Sequence, residues 1–285
     1  MSSKRPEHTG PAELFYDETE SSKYASNSHI VKIQSEMTER ALELLALPED
    51  KVGYLLDLGC GSGISGDVIS AHGHVWVGVD VSLPMLKINR DDEEDPTKDL
   101  LLRDLGSGMP FRAGTFDGAV SISAIQWLCH ANASDQNPRK RLHRFFQSLY
   151  ACMGRGTRAV FQFYPENEQQ SDLIMSQAMR AGFNGGLVVD FPNSTKAKKV
   201  YLVLMTGGVQ QLPKALTDEQ EVAQRGQVEN IGRRVFQTGR QGKGKERIIK
   251  GSKAWIDAKR ERAQKQGREV GNASKFSGRK RKDKW

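Results

Sequence analysis

The chain has 285 residues, enough for one large domain and an extension, and it contains no run of about 18 apolar residues that would indicate a membrane span. The formal net charge of +7 is unevenly distributed, because the segment from Arg240 onward has 17 Lys and Arg against 5 Asp and Glu. That segment carries +12 and the rest of the chain −5, which excludes a uniformly basic fold and predicts one arm for nucleic acid or another acidic surface.

Residues 1–28 are polar, without the apolar segment of a secretory signal, and predict an N-terminal arm anchored by Phe15, Tyr16 and Tyr24. The three cysteines, Cys60, Cys129 and Cys152, are widely separated and have no paired metal-binding spacing. We therefore expect a reduced intracellular compartment and no metal site.

From His29 to Leu47, apolar residues recur at three- and four-residue steps, which predicts an amphipathic helix that ends before Pro48. Short apolar runs then alternate with helical patterns, so we expect a mostly parallel sheet with helices on both faces over residues 29–207. The last two runs leave no room for a helix and predict an antiparallel hairpin at one edge. The predicted strands are 53–58, 75–80, 99–103, 116–122, 157–164, 186–191 and 199–206, and the further predicted helices are 63–71, 82–90, 138–152 and 168–181.

After Gly207 the pattern fails, and residues 208–285 are rich in Gly, Gln, Lys and Arg. They predict a basic, largely disordered extension with one helix near 252–266.

The stretch LLDLGCGSGISG, residues 55–66, places a carboxylate in a predicted strand directly before a glycine-rich turn. Gly61, Gly63 and Gly66 form G-x-G-x-x-G, and Asp80 follows where a ribose-binding acid of a dinucleotide site would stand. A dinucleotide site is therefore an alternative that other residues must exclude.

Three features favour S-adenosylmethionine instead. Asp57 begins a D-x-G-x-G-x-G pattern, and this carboxylate would repel a pyrophosphate but hold the ammonium group of a methionine moiety. Asp104 closes the third predicted strand, where it can accept a hydrogen bond from an adenine amino group while the Leu105 backbone reads the ring edge. A dehydrogenase also needs a second domain, which nothing after Gly207 could form.

On these residues the sequence resembles the Rossmann-like class I methyltransferases. The resemblance implies a seven-stranded sheet, with FDGAVSIS at 116–123 as the fourth strand, facing the transferable methyl group. It further implies that Asp57, Gly59 and Gly61 line the methionine portion, Asp80 the ribose hydroxyls, and Asp104 and Leu105 the adenine, with Cys60, Val81 and Ser121 completing the cofactor-binding set.

The acceptor is less constrained by motifs. None of the cysteines has the context of a pyrimidine-methylating nucleophile, and the loop Ser123–Trp127 lacks the N/D-P-P-Y/F pattern of exocyclic-amine methylation. Guanine N7 has an in-plane lone pair and needs no base, so it is compatible with this site, although small-molecule acceptors remain open. The candidate acceptor residues are Trp127, as a surface on which a base can stack, and Gln126, as a polar group that reads its edge. Phe163 and Tyr164 form either a second aromatic wall or part of the core. His130 and His143 are expected to be helix caps or solvent-facing residues rather than catalytic groups.

Beyond the cofactor motif, PAELFYDETESSKYASNSHIVKIQSEMTERALELLAL at 11–47, DLGCGSGISGDVI and KGSKAWIDAKRERAQKQG strongly resemble the eukaryotic guanine-N7 methyltransferases of small-subunit ribosomal RNA. This resemblance implies a nuclear enzyme that joins small-subunit (pre-40S) precursors and methylates N7 of one guanine. It also implies a small zinc-binding activator subunit, and Tyr16 and Tyr24 as contacts that close over the methyl donor.

Two surfaces fit such partners. The third strand, with Leu100–Leu102, is expected at a sheet edge, where a partner can cover its apolar side chains. The basic end GRKRKDKW, residues 278–285, can serve nuclear import, and the earlier basic stretch can neutralise RNA phosphates. Three alternatives stay open: an assembly factor whose binding is the essential role, a small-molecule methyltransferase and, last, a dinucleotide-binding enzyme.

Overall fold

The computed structural model describes residues 5–48, 50–90, 97–131, 136–194, 197–208 and 212–216. The chain divides into two units, Met1–Gly232 and Arg233–Trp285, and every described residue belongs to the first. The predicted helix near 252–266 and the basic extension from residue 217 onward lie outside the described residues.

The described residues form one seven-stranded sheet in the order β3-β2-β1-β4-β5-β7-β6. All neighbouring pairs are parallel except β5–β7 and β6–β7, which are antiparallel. The predicted fold class, with its antiparallel hairpin at one edge, is confirmed. The strands are β1 (Tyr54–Leu58), β2 (Val75–Asp80), β3 (Lys98–Leu102), β4 (Phe116–Ile122), β5 (Met153–Phe163), β6 (Asn184–Asp190) and β7 (Lys199–Met205).

Helices cover both faces of the sheet, so its inner strands are buried on both sides and are almost continuously apolar. Successive residues of β1 illustrate this, because Leu55 packs in the core beside α3 and α4 while Leu56 packs in the core beside α6 and α7. The helices are α1 (Ala12–Phe15), α2 (Glu18–Ser26), α3 (Ser28–Leu45), α4 (Ile64–Ala71), α5 (Leu83–Arg90), α6 (Pro138–Cys152) and α7 (Glu168–Arg180), with short 3-10 helices at Pro6–His8, Leu105–Ser107 and Ile125–Cys129.

The N-terminal arm is more regular than the sequence pattern predicts, because α1 and α2 occupy most of it. The Asp17 side chain caps α2 by accepting from two backbone amides, and Asn27 caps α3 in the same way. Ser82, at the start of α5, donates a hydrogen bond to the Tyr16 carbonyl at 2.9 Å. This contact fixes the arm at the carboxyl end of β2.

The strand boundaries agree with the predicted ones to within a few residues, and the largest difference is at the start of β5. This strand begins at Met153 rather than at residue 157, because Met153 pairs with Phe116 ahead of an irregularity in the β4–β5 register. The sheet therefore places the carboxyl ends of β1 to β4 side by side, which is where ligands of open α/β sheets bind.

Candidate functional site

A cavity of about 970 Å³, counted to its open mouth, lies at the carboxyl ends of β1 to β4 and beneath α1 and α2. Ten of the residues predicted from sequence line it: Tyr16, Tyr24, Gly59, Cys60, Gly61, Asp80, Val81, Asp104, Leu105 and Trp127.

The glycine-rich turn between β1 and α4 follows a path that side chains would block. Gly59 has φ +78°, a conformation that favours glycine, and its amide donates to the Val79 carbonyl at 2.7 Å. A Cβ at this position would also collide with the Ala124 side chain. Gly66, the last glycine of the G-x-G-x-x-G pattern, lies inside α4 against the Trp76 ring. That glycine therefore serves helix–strand packing and does not line the cavity.

Asp57 is fully buried and does not itself line the cavity. Its Oδ2 accepts a hydrogen bond from Ser65 at 2.6 Å, and Ser65 does line the cavity, so the acid is linked to the ligand space through that hydroxyl. Burial raises the pKa of Asp57 to about 7, the Ser65 hydrogen bond opposes this rise, and Asp80 and Asp67 add to it. Among the described residues, no group donates to its Oδ1.

Asp80 is held rigidly at the end of β2. Its Oδ2 accepts from the Gly61 amide at 2.9 Å and its Oδ1 from the Ser82 amide at 2.8 Å. Burial raises the pKa of Asp80, while these backbone amides and that of Val81 lower it. The result is a preorganised hydrogen-bond acceptor facing the cavity.

The two tyrosines of the arm lie near this carboxylate, with ring centroids 5.9 Å apart. Burial raises the pKa of Tyr16, with Tyr24 and then Asp80 contributing. Burial, with Tyr164 and Asp80 in support, raises the pKa of Tyr24 to about 12. Both phenols are therefore protonated at neutral pH and can donate hydrogen bonds into the cavity.

Asp104, at the end of β3, is oriented by two donors on the same oxygen. Its Oδ1 accepts from the Gly106 amide at 3.0 Å and from Arg141 of α6 at 2.7 Å. Arg141 also lines the cavity. Within the described part of the chain, no donor reaches Asp104 Oδ2, so this oxygen is available to a ligand.

Trp127 lines the cavity from the 3-10 helix after β4, and its ring lies 5.8 Å from that of Phe15 and 5.7 Å from that of Tyr16. The neighbouring Gln126 points elsewhere: it is buried, outside the cavity, and donates to the Ser123 carbonyl at 2.8 Å. Ser121 is also outside the cavity, where its hydroxyl donates to the Leu58 carbonyl at 2.7 Å and ties β4 to β1.

The predicted second aromatic wall is absent from the cavity lining. Phe163 is fully buried in the core beside α6 and α7, so its assignment as a possible wall is wrong and the core alternative is correct. Tyr164 is partly exposed, donates to the Met37 sulfur at 3.4 Å and lies under the Lys199 ammonium.

Several cavity residues carry no recognisable sequence motif: Glu13, Gln34, Ser65, Met85 and Arg141. Gln34 of α3 donates to the Ser123 hydroxyl at 3.4 Å, and Ser123 in turn donates to Gln162 at 2.9 Å. Ser123 has φ +57°, a left-handed conformation that is unusual for serine, at the carboxyl end of β4. This network joins α3, β4 and β5 beside the cavity.

The three cysteines stay protonated at neutral pH. Burial raises the pKa of the Cys60 thiol well above its ordinary range, that of Cys129 to about 12 and that of Cys152 to about 11. At neutral pH all three are thiols, and since the thiolate is the nucleophile, the geometry agrees with a packing role.

Outside the cavity, His8, His130 and Glu166 have potential metal-ligand atoms within 4.8 Å of one another. His130 lies at the end of the 3-10 helix that carries Trp127, and its ring packs edge-on against that of His8 with centroids 5.1 Å apart. Separately, none of the described helices is both long and apolar enough to span a membrane.

Comparison with known proteins places the chain among methyltransferases. Residues 56–161 match the family model described as "Methyltransferase domain", and residues 204–283 match "Methyltransferase involved in Williams-Beuren syndrome". The chain is 52% identical over 283 residues to the 18S rRNA (guanine-N(7))-methyltransferase of Mus musculus, with 99% of each chain covered. It is 53% identical over 287 residues to the probable 18S rRNA (guanine-N(7))-methyltransferase of Dictyostelium discoideum, again with 99% of each covered.

The fold agrees with this relationship. A solved structure of phosphoethanolamine N-methyltransferase 2 from Haemonchus contortus, in complex with S-adenosyl-L-methionine, is similar with a TM-score of 0.52 and 15% identity. The similarity covers 68% of this chain and 58% of that chain.

Proposed function

The chain belongs to the family of 18S rRNA (guanine-N(7))-methyltransferases, and from this premise we propose that it methylates N7 of one guanine in small-subunit ribosomal RNA during pre-40S assembly. The methyl donor is S-adenosyl-L-methionine. The observation that carries the proposal is one cavity that is lined by the acids after β2 and β3 and linked through Ser65 to the acid of β1, in a chain of this family.

The residues around the cavity fit this donor. Asp80 offers its remaining lone pairs to the ribose hydroxyls, and the available Oδ2 of Asp104 suits the adenine amino group, with the Leu105 backbone at the ring edge. The absence of side chains at Gly59 and Gly61 leaves room for the methionine portion, whose ammonium group is attracted by Asp57 through Ser65. Tyr16 and Tyr24 close the cavity from the arm.

When bound, S-adenosyl-L-methionine supplies a methyl group already activated by its sulfonium sulfur. The protein therefore has mainly to align the acceptor nitrogen with that methyl group and exclude water. Guanine N7 carries a lone pair in the ring plane and loses no proton on attack, which agrees with a cavity whose nearby cysteines are protonated. Trp127, beside the end of β4, offers a ring face on which the base can stack.

The decisive experiment replaces the protein in cells of its source with the Asp80→Lys variant and maps N7-methylguanosine in 18S rRNA by borohydride and aniline cleavage. We expect loss of one methylated guanine, because a lysine at this position removes the ribose acceptor and adds a positive charge beside the sulfonium. Asp172→Lys, the same change at an exposed position of α7, is the matched control and should retain the modification.

Asp80 is half-buried and bonded to two backbone amides, so a second variant, Asp104→Ala, guards against loss of the fold. If depletion of the wild-type protein leaves every N7-methylguanosine in place, the proposed activity is wrong. Small-subunit production in the same cells distinguishes an essential role in methylation from one in binding. If production is normal with the inactive variants but fails when the protein is depleted, binding rather than methylation is the essential contribution.

The exposed edge of the sheet favours the proposal that a small activator subunit is a partner. Among the described strands, β3 is the outermost on its side, and Leu102 at its end is 51% exposed. An uncovered strand edge with apolar side chains favours pairing with another chain, so a small zinc-binding protein that adds a strand there would both solubilise the enzyme and complete the sheet.

The basic extension supports RNA binding and nuclear localisation. From Arg240 to the end it carries a net charge of +12, which suits contacts to RNA phosphates with little sequence choice. The final GRKRKDKW has the composition of a nuclear-import signal. Leu212 is buried in the core and the Leu216 amide bonds to Asp190, so the truncation must begin after them. Removal of residues 217–285 should weaken binding to pre-40S particles while S-adenosylmethionine affinity stays unchanged, whereas a small-molecule methyltransferase would keep full activity after the same truncation.

A further inference from the structure

The cavity also has lining residues that the proposed cofactor contacts leave unassigned. Beyond the glycine-rich turn, Asp80 and Asp104, it is lined by Glu13 of α1, Gln34 of α3 and Trp127. These three side chains come from three separate segments of the chain, and they present a carboxylate, an amide and an aromatic face to one space at the carboxyl end of β4.

Glu13 brings a negative charge to the mouth of the cavity. It is exposed, and across the described ranges no hydrogen bond or ion pair engages its carboxylate. It lies on the same short helix as Phe15, whose ring contacts Trp127. A carboxylate has only acceptor oxygens, so the ligand group that it suits is a pair of neighbouring N–H donors.

Gln34 lies deeper, at the end of β4. Its amide nitrogen donates to the Ser123 hydroxyl at 3.4 Å, and since an amide NH₂ has two hydrogens, one remains for a ligand acceptor. Ser123 itself donates to Gln162 at 2.9 Å, which fixes the Gln34 amide at the carboxyl end of β4. The ligand group that this amide suits is a carbonyl oxygen.

Guanine has a carbonyl oxygen and, next to it, a pair of N–H donors, which are the groups that Gln34 and Glu13 suit. N7 and O6 are acceptors, and next to O6 follow the N1–H and N2–H₂ donors of the Watson–Crick edge. A guanine stacked on Trp127 with N7 toward the methyl group would place O6 beside the deeper amide and the two donors toward the outer carboxylate. We propose that Glu13 and Gln34 form the guanine-recognition subsite, with Glu13 accepting from N1–H and N2–H₂ and Gln34 donating to O6; this inference rests on the proposed function.

The same arrangement rejects adenine. At the corresponding positions adenine has an N6–H₂ donor in place of O6 and an unprotonated N1 acceptor in place of N1–H. The amide NH₂ of Gln34 would face a donor, and the Glu13 carboxylate would face a lone pair. A site built on hydrogen bonds discriminates strongly against a ligand that leaves its polar groups unpaired.

The test uses full-length protein purified from its own cells with its copurifying partners, and unmethylated small-subunit particles from cells depleted of it. Glu13→Gln keeps the shape of the side chain but replaces one acceptor oxygen by a donor and removes the charge. We expect kcat/KM for particle methylation to fall roughly 10- to 100-fold, with the dissociation constant for S-adenosylmethionine within about twofold of wild type. Gln34→Leu should behave in the same direction.

The matched control is Glu36→Gln, the same change at an exposed position of α3 outside the cavity, and it should match wild type. A second readout is the inhibition of methyl transfer by GMP and by IMP, which lacks only the N2 amino group. Wild type should prefer GMP, and Glu13→Gln should lose that preference, a change that a purely structural role of Glu13 would not produce.

The two possible failures are distinct. If wild type does not methylate guanine N7 in the particles, the proposed function and this inference are both overturned. If wild type is active and Glu13→Gln retains its kcat/KM and its preference for GMP, only the recognition subsite is wrong.

Discussion

Arg141 of α6 and Asp104 at the end of β3 form an ion pair at 2.7 Å, and both side chains line the cofactor cavity. The arginine and the Gly106 amide both donate to one oxygen of the carboxylate, which leaves the other oxygen available to a ligand. A residue from a helix 37 positions further along the chain therefore orients the predicted adenine acceptor.

Arg141→Gln should weaken S-adenosylmethionine binding through this orientation. The pair is partly exposed and screened by solvent, so the loss is modest, about 0.5–1.5 kcal/mol or roughly 2- to 10-fold in the dissociation constant. Isothermal titration measures it, with Arg139→Gln on the same helix, exposed and outside the cavity lining, as the control. Equal affinities for the two variants would show that Asp104 needs no help from α6.

Substitutions at Gly59 and Gly73 distinguish the cost of a steric collision from the cost of backbone strain. Both have φ +78°, but a Cβ at Gly59 would collide with Ala124, whereas at Gly73 no atom lies within 4 Å. Gly73→Ala should therefore lose only about 1 kcal/mol of unfolding free energy, from backbone strain. Gly59→Ala should lose more and should no longer bind S-adenosylmethionine. Denaturant unfolding and titration of both variants check this, and indistinguishable results would contradict the close-approach argument.

The sequence predicted the sheet well because local pattern determines most of it. Apolar runs followed by an acid or glycines mark strands buried on both faces, and three acids at successive strand ends indicate the ligand edge. The arm was predicted less completely: α1 and α2 are short and polar, and α2 depends on the Asp17 cap rather than on hydrophobic periodicity.

The acceptor side of the cavity was the least predictable from sequence. In a strand or a 3-10 helix, neighbouring residues point in different directions, so a shift of one position changes which side chain faces the cavity. Trp127 faces the cavity, whereas Gln126 is buried outside it and Phe163 belongs to the core. Gln34 reaches the cavity only because α3 packs across β4, bringing it to Ser123, 89 residues further along the chain. A pairing of that kind has no local signal.

Asp57 should make the stability of the ligand-free protein depend on pH. Its ordinary pKa is 3.8, and burial raises the pKa in the folded protein to about 7, against the Ser65 hydrogen bond and in the same direction as Asp80 and Asp67. Between these values the folded state holds a proton that the unfolded state has lost. The contribution of Asp57 is therefore greatest at low pH and decreases as pH rises from about 4 to about 7.

Asp57→Asn should remove this dependence. As pH rises across the window, its free energy of unfolding should therefore increase relative to that of wild type, by up to about 1.4 kcal/mol per pH unit. Urea unfolding at pH 5, 6, 7 and 8 gives the difference, with the exposed Asp172→Asn as control. Parallel pH profiles for Asp57→Asn and wild type would mean that the carboxyl titrates normally in the folded protein.

Leu102, at the outer edge of the sheet, should govern both solubility and partner binding. It is 51% exposed on β3, and Leu83 of α5 is 50% exposed but lies outside the strand edge, so Leu102→Lys and Leu83→Lys form a matched pair. A charge on an edge strand discourages pairing with another chain.

When expressed alone, Leu102→Lys should be more soluble than wild type. When isolated from its own cells, it should lose the proposed small zinc-binding partner, whereas wild type and Leu83→Lys should copurify with it. Quantitative mass spectrometry and the zinc content of the purified proteins measure this. Retention of that partner by Leu102→Lys would place the interface elsewhere on the protein.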